Sequence, residues 1–298
     1  ARGNVPEYEA WVDSMMKSAL PKDLLAQVYS WRFWLLNQKG QWDGVLALVP
    51  ECLKTFDADT NRRLMGELVA GELGAGKYDK VGRVVDVLEK EGGKIKTLAA
   101  LVTVERVYLS FARADWKTAE EQFTKVSSEL PDGDLAGLFA RVTDRCLGAR
   151  QFDLSDRLCE GSLQDLKAKP ATASAAATCW IATAAARKDL AAIPVRLEAL
   201  RTKGLPIDPL FSLYQREFYL VLGGPSKEPV KGLVGLGDKL QELLTRPDDK
   251  NCLYLMMLDA SFVAEDYAQG LELVNKKIQG QDPGWYDMAS SKIKAHLA

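Results

Sequence analysis

The residues able to do chemistry are few in this chain and poorly spaced for it. A single histidine, His296, stands two positions from the last residue. Serine or cysteine catalysis needs a base held within hydrogen-bond reach, and a histidine metal cluster needs several ligands on supported elements. His296 supplies neither. The five cysteines, Cys52, Cys146, Cys159, Cys179 and Cys252, are odd in number and show no C-x-x-C spacing, so they read as buried free thiols. Three acidic pairs, Asp57/Asp59, Asp132/Asp134 and Asp248/Asp249, fall at expected helix junctions. Short carboxylates there cap helix N-termini. An isoprenoid-type metal site would need an aspartate-rich motif inside a helix, and the sequence has none. Gly232-Leu-Val-Gly235-Leu-Gly237 follows no strand, so it reads as a loosened helix and not as a phosphate loop. The expectation is a non-enzyme with no cofactor and no metal.

Bulk composition narrows the class further. Over 298 residues, 47% are hydrophobic and 27% charged, with a net charge of −2, as in an ordinary soluble chain. That balance disfavours a nucleic-acid surface, which needs a basic stripe. No stretch approaches the roughly 20 apolar residues of a membrane span. The Ala-rich run 171–186 contains Ser, Thr and Cys and reads as a close-packed helix. Free thiols tilt the expected compartment toward the cytoplasm, with a bacterial envelope or extracellular location as the alternatives.

The elements that must position any site repeat along the chain. An apolar ring, or a residue standing in for one, recurs at Trp42, Tyr78, Trp116, Phe152, Leu190, Pro229 and Tyr267. Successive spacings are 36, 38, 36, 38, 39 and 38 residues, a period that marks a stacked helical array. The residue before each anchor is polar. Small or β-branched residues follow at +3, as in Val45, Val81, Ala119 and Ile193, and every +7 position is apolar, as in Val49, Phe123, Leu197 and Val274. Offsets of 0, 3 and 7 share one stripe of an α-helix. Breakers follow about fifteen residues on: Gly92-Gly93, Pro131, Pro170, Gly204 with Pro206, Pro247, and Gly280 with Pro283. A second apolar stretch precedes each anchor. Four positions before the anchor the residue is small in four copies, namely Gly74, Ala112, Gly148 and Ala186. Each period therefore reads as helix A, tight turn, helix B, and stacking buries the faces that one unit cannot bury alone.

In Leu109-Ser-Phe-Ala-Arg-Ala-Asp-Trp116-Lys-Thr-Ala119-Glu-Glu-Gln-Phe123, ending at Pro131, turn, aromatic, small and large-apolar positions come in an order that resembles the tetratricopeptide repeat. Leu73-Gly74-Ala75-Gly76-Lys77-Tyr78 and Ala264-Glu265-Asp266-Tyr267-Ala268 repeat the turn more loosely. The resemblance covers nearly the whole chain in degenerate copies, with a period above the family's 34, and the copy at Gly223-Gly224-Pro225 and Pro229 is the weakest. It implies an all-α, right-handed superhelix of antiparallel hairpins whose concave helix-A face binds a peptide or protein segment. The expected organisation is one domain, 1–298, with about seven hairpins over 22–283. The flanks are 1–21, an orphan helix B on a frame of Tyr8, Trp11 and Met15, and 284–298, an orphan helix A. These ends are either caps or the cut ends of a longer array. In the second case they predict head-to-tail self-association.

In the resembled family the groove is lined 12, 8, 5 and 4 positions before the anchor. Those offsets select Trp34, Asn37, Leu73, Tyr108, Phe111 and Asp144 in the first half, and Thr178, Glu217 and Asp259 in the second. Arg63 and Tyr214 join them at 15 positions before their anchors. The Lys and Asn residues of the family's carboxylate clamp are absent, and an aromatic, acidic groove suits a segment with apolar and basic side chains. Of Trp31, Trp34 and Trp42, at least two should be structural, because Trp42 is an anchor and Trp31 shares its stripe. Two other readings stand beside the scaffold. Leu197-Glu-Ala-Leu-Arg-Thr-Lys-Gly-Leu-Pro-Ile-Asp-Pro resembles a pentatricopeptide junction and would imply RNA binding, and an α/α toroid would imply an enzyme. A spacer segment of a larger chain is the bland alternative.

Overall fold

A computed structural model describes residues 5–92, 95–164, 166–278 and 283–297. Gly93 and Gly280 of the expected breakers lie outside the described residues, as does the side chain of His296. Among the described residues there are sixteen α-helices and no strand. The chain divides into two compact units, Ala1–Arg145 and Cys146–Ala298.

The first unit holds α1 (Val5–Met16), α2 (Lys22–Gln38), α3 (Trp42–Thr55), α4 (Ala58–Gly74), α5 (Tyr78–Gly92), α6 (Lys96–Ala112), α7 (Trp116–Ser127) and α8 (Asp132–Gly148) as far as Arg145. From α1 to α7 each helix packs on its sequence neighbour, and α2 also packs on α4, α3 on α5, and α4 on α6. Helices that touch both the next element and the next but one are stacked hairpins. The second unit continues with α9 (Phe152–Ser162), α10 (Pro170–Arg187), α11 (Ala192–Lys203), α12 (Ile207–Leu222), α13 (Glu228–Leu243), α14 (Pro247–Val263), α15 (Tyr267–Glu272), a π-helical turn at Leu273–Ile278, and α16 (Pro283–Leu297). There α10 packs on α12, α11 on α13, and α12 on α14.

The repeat frame is visible in the burial pattern. All seven +7 residues are buried, and Val45, Val81, Ala119, Ser155 and Ile193 at +3 are wholly so. The anchors differ. Trp42 and Pro229 are buried, whereas Tyr78, Trp116, Phe152 and Leu190 are half-buried. Five anchors are the first residue of their helix B, so a ring there lies over the turn at the edge of the core. Arg187 covers the Phe152 ring at 5.5 Å, and Phe111 meets Trp116 edge-on at 6.4 Å. In α1 the stripe runs one residue later than expected: Val12 is fully buried and Trp11 is 43% exposed.

What the copies share most closely is backbone geometry. Gly40, Gly76, Ala114, Arg150, Lys188 and Glu265 all adopt φ between 58° and 70°, and each lies two positions before an anchor. The next amide reaches back to the carbonyl five residues earlier, as in Gln41 to Leu36 at 2.9 Å, Asp115 to Ser110 at 3.1 Å and Asp189 to Ala184 at 2.9 Å. The left-handed residue itself donates three residues back, for example Gly76 to Leu73 at 2.9 Å. This pair of bonds is a Schellman motif, which satisfies carbonyls that a helix end leaves open. Four of the six residues are not glycine and carry the left-handed penalty of about 1–2 kcal/mol. The polar residue before the anchor then stands just ahead of helix B, as the N-cap in Gln41, Asp115, Gln151 and Asp266. Asp189 and Asp266 bond the amides of Ala192 and Gln269 at 3.2 and 3.1 Å.

The weakest copy departs from this geometry. The α12–α13 turn spans 223–227, five residues where α2–α3, α4–α5 and α6–α7 use three. No positive φ other than those six and Gly204 occurs among the described residues, so this turn has none. Its helix is intact, and Gly237 serves close approach, since a Cβ there would stand 2.9 Å from the Tyr214 hydroxyl. Of the acidic pairs, Asp57 is a true N-cap, accepting from the Thr60 amide at 2.8 Å, a bond that lowers its pKa. Asp132, Asp134, Asp248 and Asp249 lie within first turns. All five cysteines are free thiols, and burial pushes Cys52 up to about 12.

Two stability changes follow from this frame. Gly76→Ala should destabilise by about 1 kcal/mol, and Ala114→Gly should stabilise by about 0.5 kcal/mol, because the left-handed penalty outweighs glycine's entropy. Urea midpoints moving in opposite directions would verify the turn. Phe123→Ala, at a buried +7 position, should cost about 3–5 kcal/mol, and the half-buried Trp116→Ala less. Equilibrium denaturation of both variants checks the order.

Candidate functional site

A cleft of about 400 Å³ opens between two helices A of the first unit, α2 and α4. Ser30, Trp34 and Asn37 come from α2, at spacings that put them on one helical face. Glu67, Gly71 and Glu72 answer from α4, and Lys77 enters from the turn beyond. Gly71 leaves the floor open, because a Cβ there would meet nothing within 4 Å.

The floor is polar and mostly fixed. Glu72 is only 3% exposed. Its Oε1 accepts a hydrogen bond from the Asn37 side-chain amide, and Lys80 on α5 donates to Asn37 Oδ1 at 2.9 Å. Three helices are thereby joined through one carboxylate. The ammonium groups of Lys77 and Lys80 stand 3.7 and 3.6 Å from Glu72 Oε2, near enough to compensate charge. Neither makes a hydrogen bond to it, and Oε2 has no hydrogen-bond partner. Leaving a buried carboxylate oxygen in that state costs about 1–3 kcal/mol. Chemically, the cleft offers one exposed aromatic face, Trp34, which is 50% exposed, over a floor of paired charges.

The expected site residues separate into groups. Trp34 and Asn37 line the cleft together. Arg63 is exposed on α4 and pairs at 3.2 Å with Glu67, which lines it. Leu73 is half-buried against the core. Tyr108 is half-buried on α6, with the Arg141 guanidinium 4.0 Å above its ring. Arg141 in turn grips the buried Glu105 by two bonds of 2.7 Å. Asp144 is exposed on α8. Phe111, in contrast, is fully buried and edge-on to Phe123 at 6.5 Å. It is a core residue and presents no surface to a ligand. The fifth position before the anchor sits where core meets groove, so polar Asn37 turns outward and an aromatic ring turns in.

In the second unit Thr178 is half-buried on α10. Asp259 is held through both oxygens by Lys292 at 2.7 Å and receives the Tyr219 hydroxyl at 3.2 Å. Tyr214 and Glu217 are corrections. Tyr214 is fully buried and donates to the Leu233 carbonyl at 3.0 Å, and Glu217 is buried and bonded by Arg216 at 2.5 Å. Their offsets were counted back from Pro229 across a turn longer than the others, and so land on the inner face of α12. Its exposed face carries Arg216, Tyr219 and Leu220. Of the three tryptophans, Trp42 is buried and Trp31 is half-buried with Trp11 at 5.1 Å, leaving Trp34 for a ligand.

Glu72 was not among the offsets. Its signal was present as a charge continuing the buried stripe of Met65 and Val69 at helical spacing. Among the described residues no group of three or more His, Cys, Asp or Glu is placed to hold a metal ion. The hairpins make this an all-α chain of the helical-repeat kind. It matches no protein-family model, and no curated protein matches it in sequence.

Arg141→Met should cost about 3 kcal/mol, because it strands the buried Glu105 carboxylate. Adding Glu105→Leu should recover most of that loss. Thermal melts of the single and double variants check the coupling.

Proposed function

We propose that this chain is a non-catalytic interaction scaffold, its hairpins stacked within each unit with the right-handed twist of tetratricopeptide repeats. The helix-A face of the first unit holds a segment of a partner protein. The observation that carries this reading is the cleft between α2 and α4, lined by the exposed Trp34 and by the buried, ion-paired Glu72. Such a combination of apolar face and sparse, directed polar groups is what orients a bound segment. Glu67 and Glu72 on the cleft wall, with a net charge of −2 over the chain, oppose an RNA backbone. The free thiols favour a reducing compartment such as the cytoplasm. No described helix is long and apolar enough to cross a membrane. Trp11 on α1 and Tyr286 and Met288 on α16 are exposed, which supports head-to-tail self-association as a second contact.

Crosslinking from lysate with wild type beside Trp34→Ala and Tyr108→Ala tests the scaffold. A protein captured by wild type and lost from the Trp34 variant, at unchanged melting temperature, is the expected result. Identical capture by all three proteins would contradict it.

A further inference from the structure

We propose that Cys159 and Cys179 form an oxidant-responsive pair, which hydrogen peroxide converts to a disulfide that staples α9 to α10. The pair lies wholly in the second unit and is independent of what the helix-A face of the first unit binds.

The register of the two helices sets the thiols opposite each other. Ser155 Oγ on α9 meets Thr183 Oγ1 on α10 at 2.8 Å. Arg187, later on α10, pairs at 2.7 Å with Asp153, earlier on α9, so the helices run antiparallel. Four residues on from Ser155 and four back from Thr183 stand Cys159 and Cys179, one turn along the same two faces. Both are buried, Cys159 wholly and Cys179 at 9% exposure. Burial first, and Cys179 second, push the Cys159 thiol above its ordinary range, so the two groups lie within each other's field.

Close approach is built into this interface. The α10 stripe through Cys179 is small on both sides, with Ala176 and Thr183 fully buried. A disulfide needs Cβ atoms about 4 Å apart. Each hydroxyl oxygen is one bond from its Cβ, so the contact of Ser155 with Thr183 already holds two Cβ atoms little farther apart than that. Other thiols are placed elsewhere. Cys52 belongs to the first unit, and the Cys252 sulfur accepts from Gln215 of α12 at 3.2 Å.

The chemistry closes in two steps. Cys179, the less buried thiol, attacks peroxide as its thiolate; the O–O bond breaks, and a sulfenic acid and water result. The Cys159 sulfur then attacks the Cys179 sulfur, the S–S bond forms, the S–O bond breaks, and hydroxide leaves as water with the Cys159 proton. Two thiols and one peroxide give one disulfide and two waters. Because burial holds Cys159 protonated, the second step is slow, and the pair answers sustained exposure to oxidant. The bond closes a loop between α9 and α10, which restricts the unfolded chain and locks the two helices together.

The test treats the full, folded, reduced chain with hydrogen peroxide, blocks remaining thiols with iodoacetamide in denaturant, and maps tryptic peptides by mass. Peptide 158–167 should be found joined to peptide 168–187 and released by reductant. The oxidised protein should melt roughly 5–10 °C higher and return to its starting value on reduction. Cys159→Ala, shown folded by its melt in reductant, should lose both the link and the shift. Its Cys179, left without a resolving thiol, should advance to the sulfinic acid, which the wild type should not do. Recovery of the two peptides unlinked from treated wild type would overturn the pairing, as would links to the peptides of Cys52, Cys146 or Cys252. A linked protein that melts no higher than the reduced one would overturn the staple.

Discussion

A left-handed residue two positions before six of the seven anchors is the constraint on which the hairpins depend. It closes helix A, sends the next amide back to a carbonyl five residues earlier, and aims the chain into helix B within three residues in most copies. Ala114, Arg150, Lys188 and Glu265 adopt this conformation despite carrying side chains. The penalty of about 1–2 kcal/mol each is tolerated because the reversal lets the +3 and +7 stripe of helix B meet the core. The same reversal ends helix A at a fixed phase relative to the stripe, so the outward side of each helix A is set as well. Where the turn lengthens, before Pro229, both the left-handed residue and that phase are lost.

From that geometry the cleft follows in steps. Hairpins of equal turn bring α2 alongside α4, with Leu64 and Phe33 beneath the contact and polar residues above. Glu72 lies where an apolar residue would otherwise continue the α4 stripe. Asn37 and Lys80 answer its charge from two neighbouring helices, so the polar group ties the hairpins together while leaving one oxygen unsatisfied. The arrangement at Glu105 is the contrasting case. There Arg141 covers both oxygens and the adjoining Tyr108 ring, and the carboxylate is spent on structure.

Much of the frame was legible in the sequence, for a physical reason. Burial on a helix demands apolar residues at 3.6-residue spacing, and the +7 residues from Val49 to Val274 obey it. The left-handed turn was not legible, because backbone geometry forced by packing leaves no mark on residue type at Arg150 or Lys188. The extent of anchor burial was missed for a related reason, since rings at the first helical position cover the turn and do not reach the core centre. Offsets carried over from a resembled family located Trp34 and Asn37, where the turn is regular. They misplaced Tyr214 and Glu217, where it is not. Phe111 shows a further limit: one offset can face groove or core, and side-chain polarity decides which.

Amide hydrogen exchange on the intact chain tests the shared turn most directly. The amides of Gln41, Lys77, Asp115, Gln151, Asp189 and Asp266 lie in surface turns, where exchange would ordinarily be fast, yet each donates to a helix carbonyl. All six should exchange slowly, at rates close to those of the helix-B amides that follow them. Exchange at free-coil rates in most of the six would contradict the common turn, and with it the phase that places Trp34 and Glu72 on one cleft.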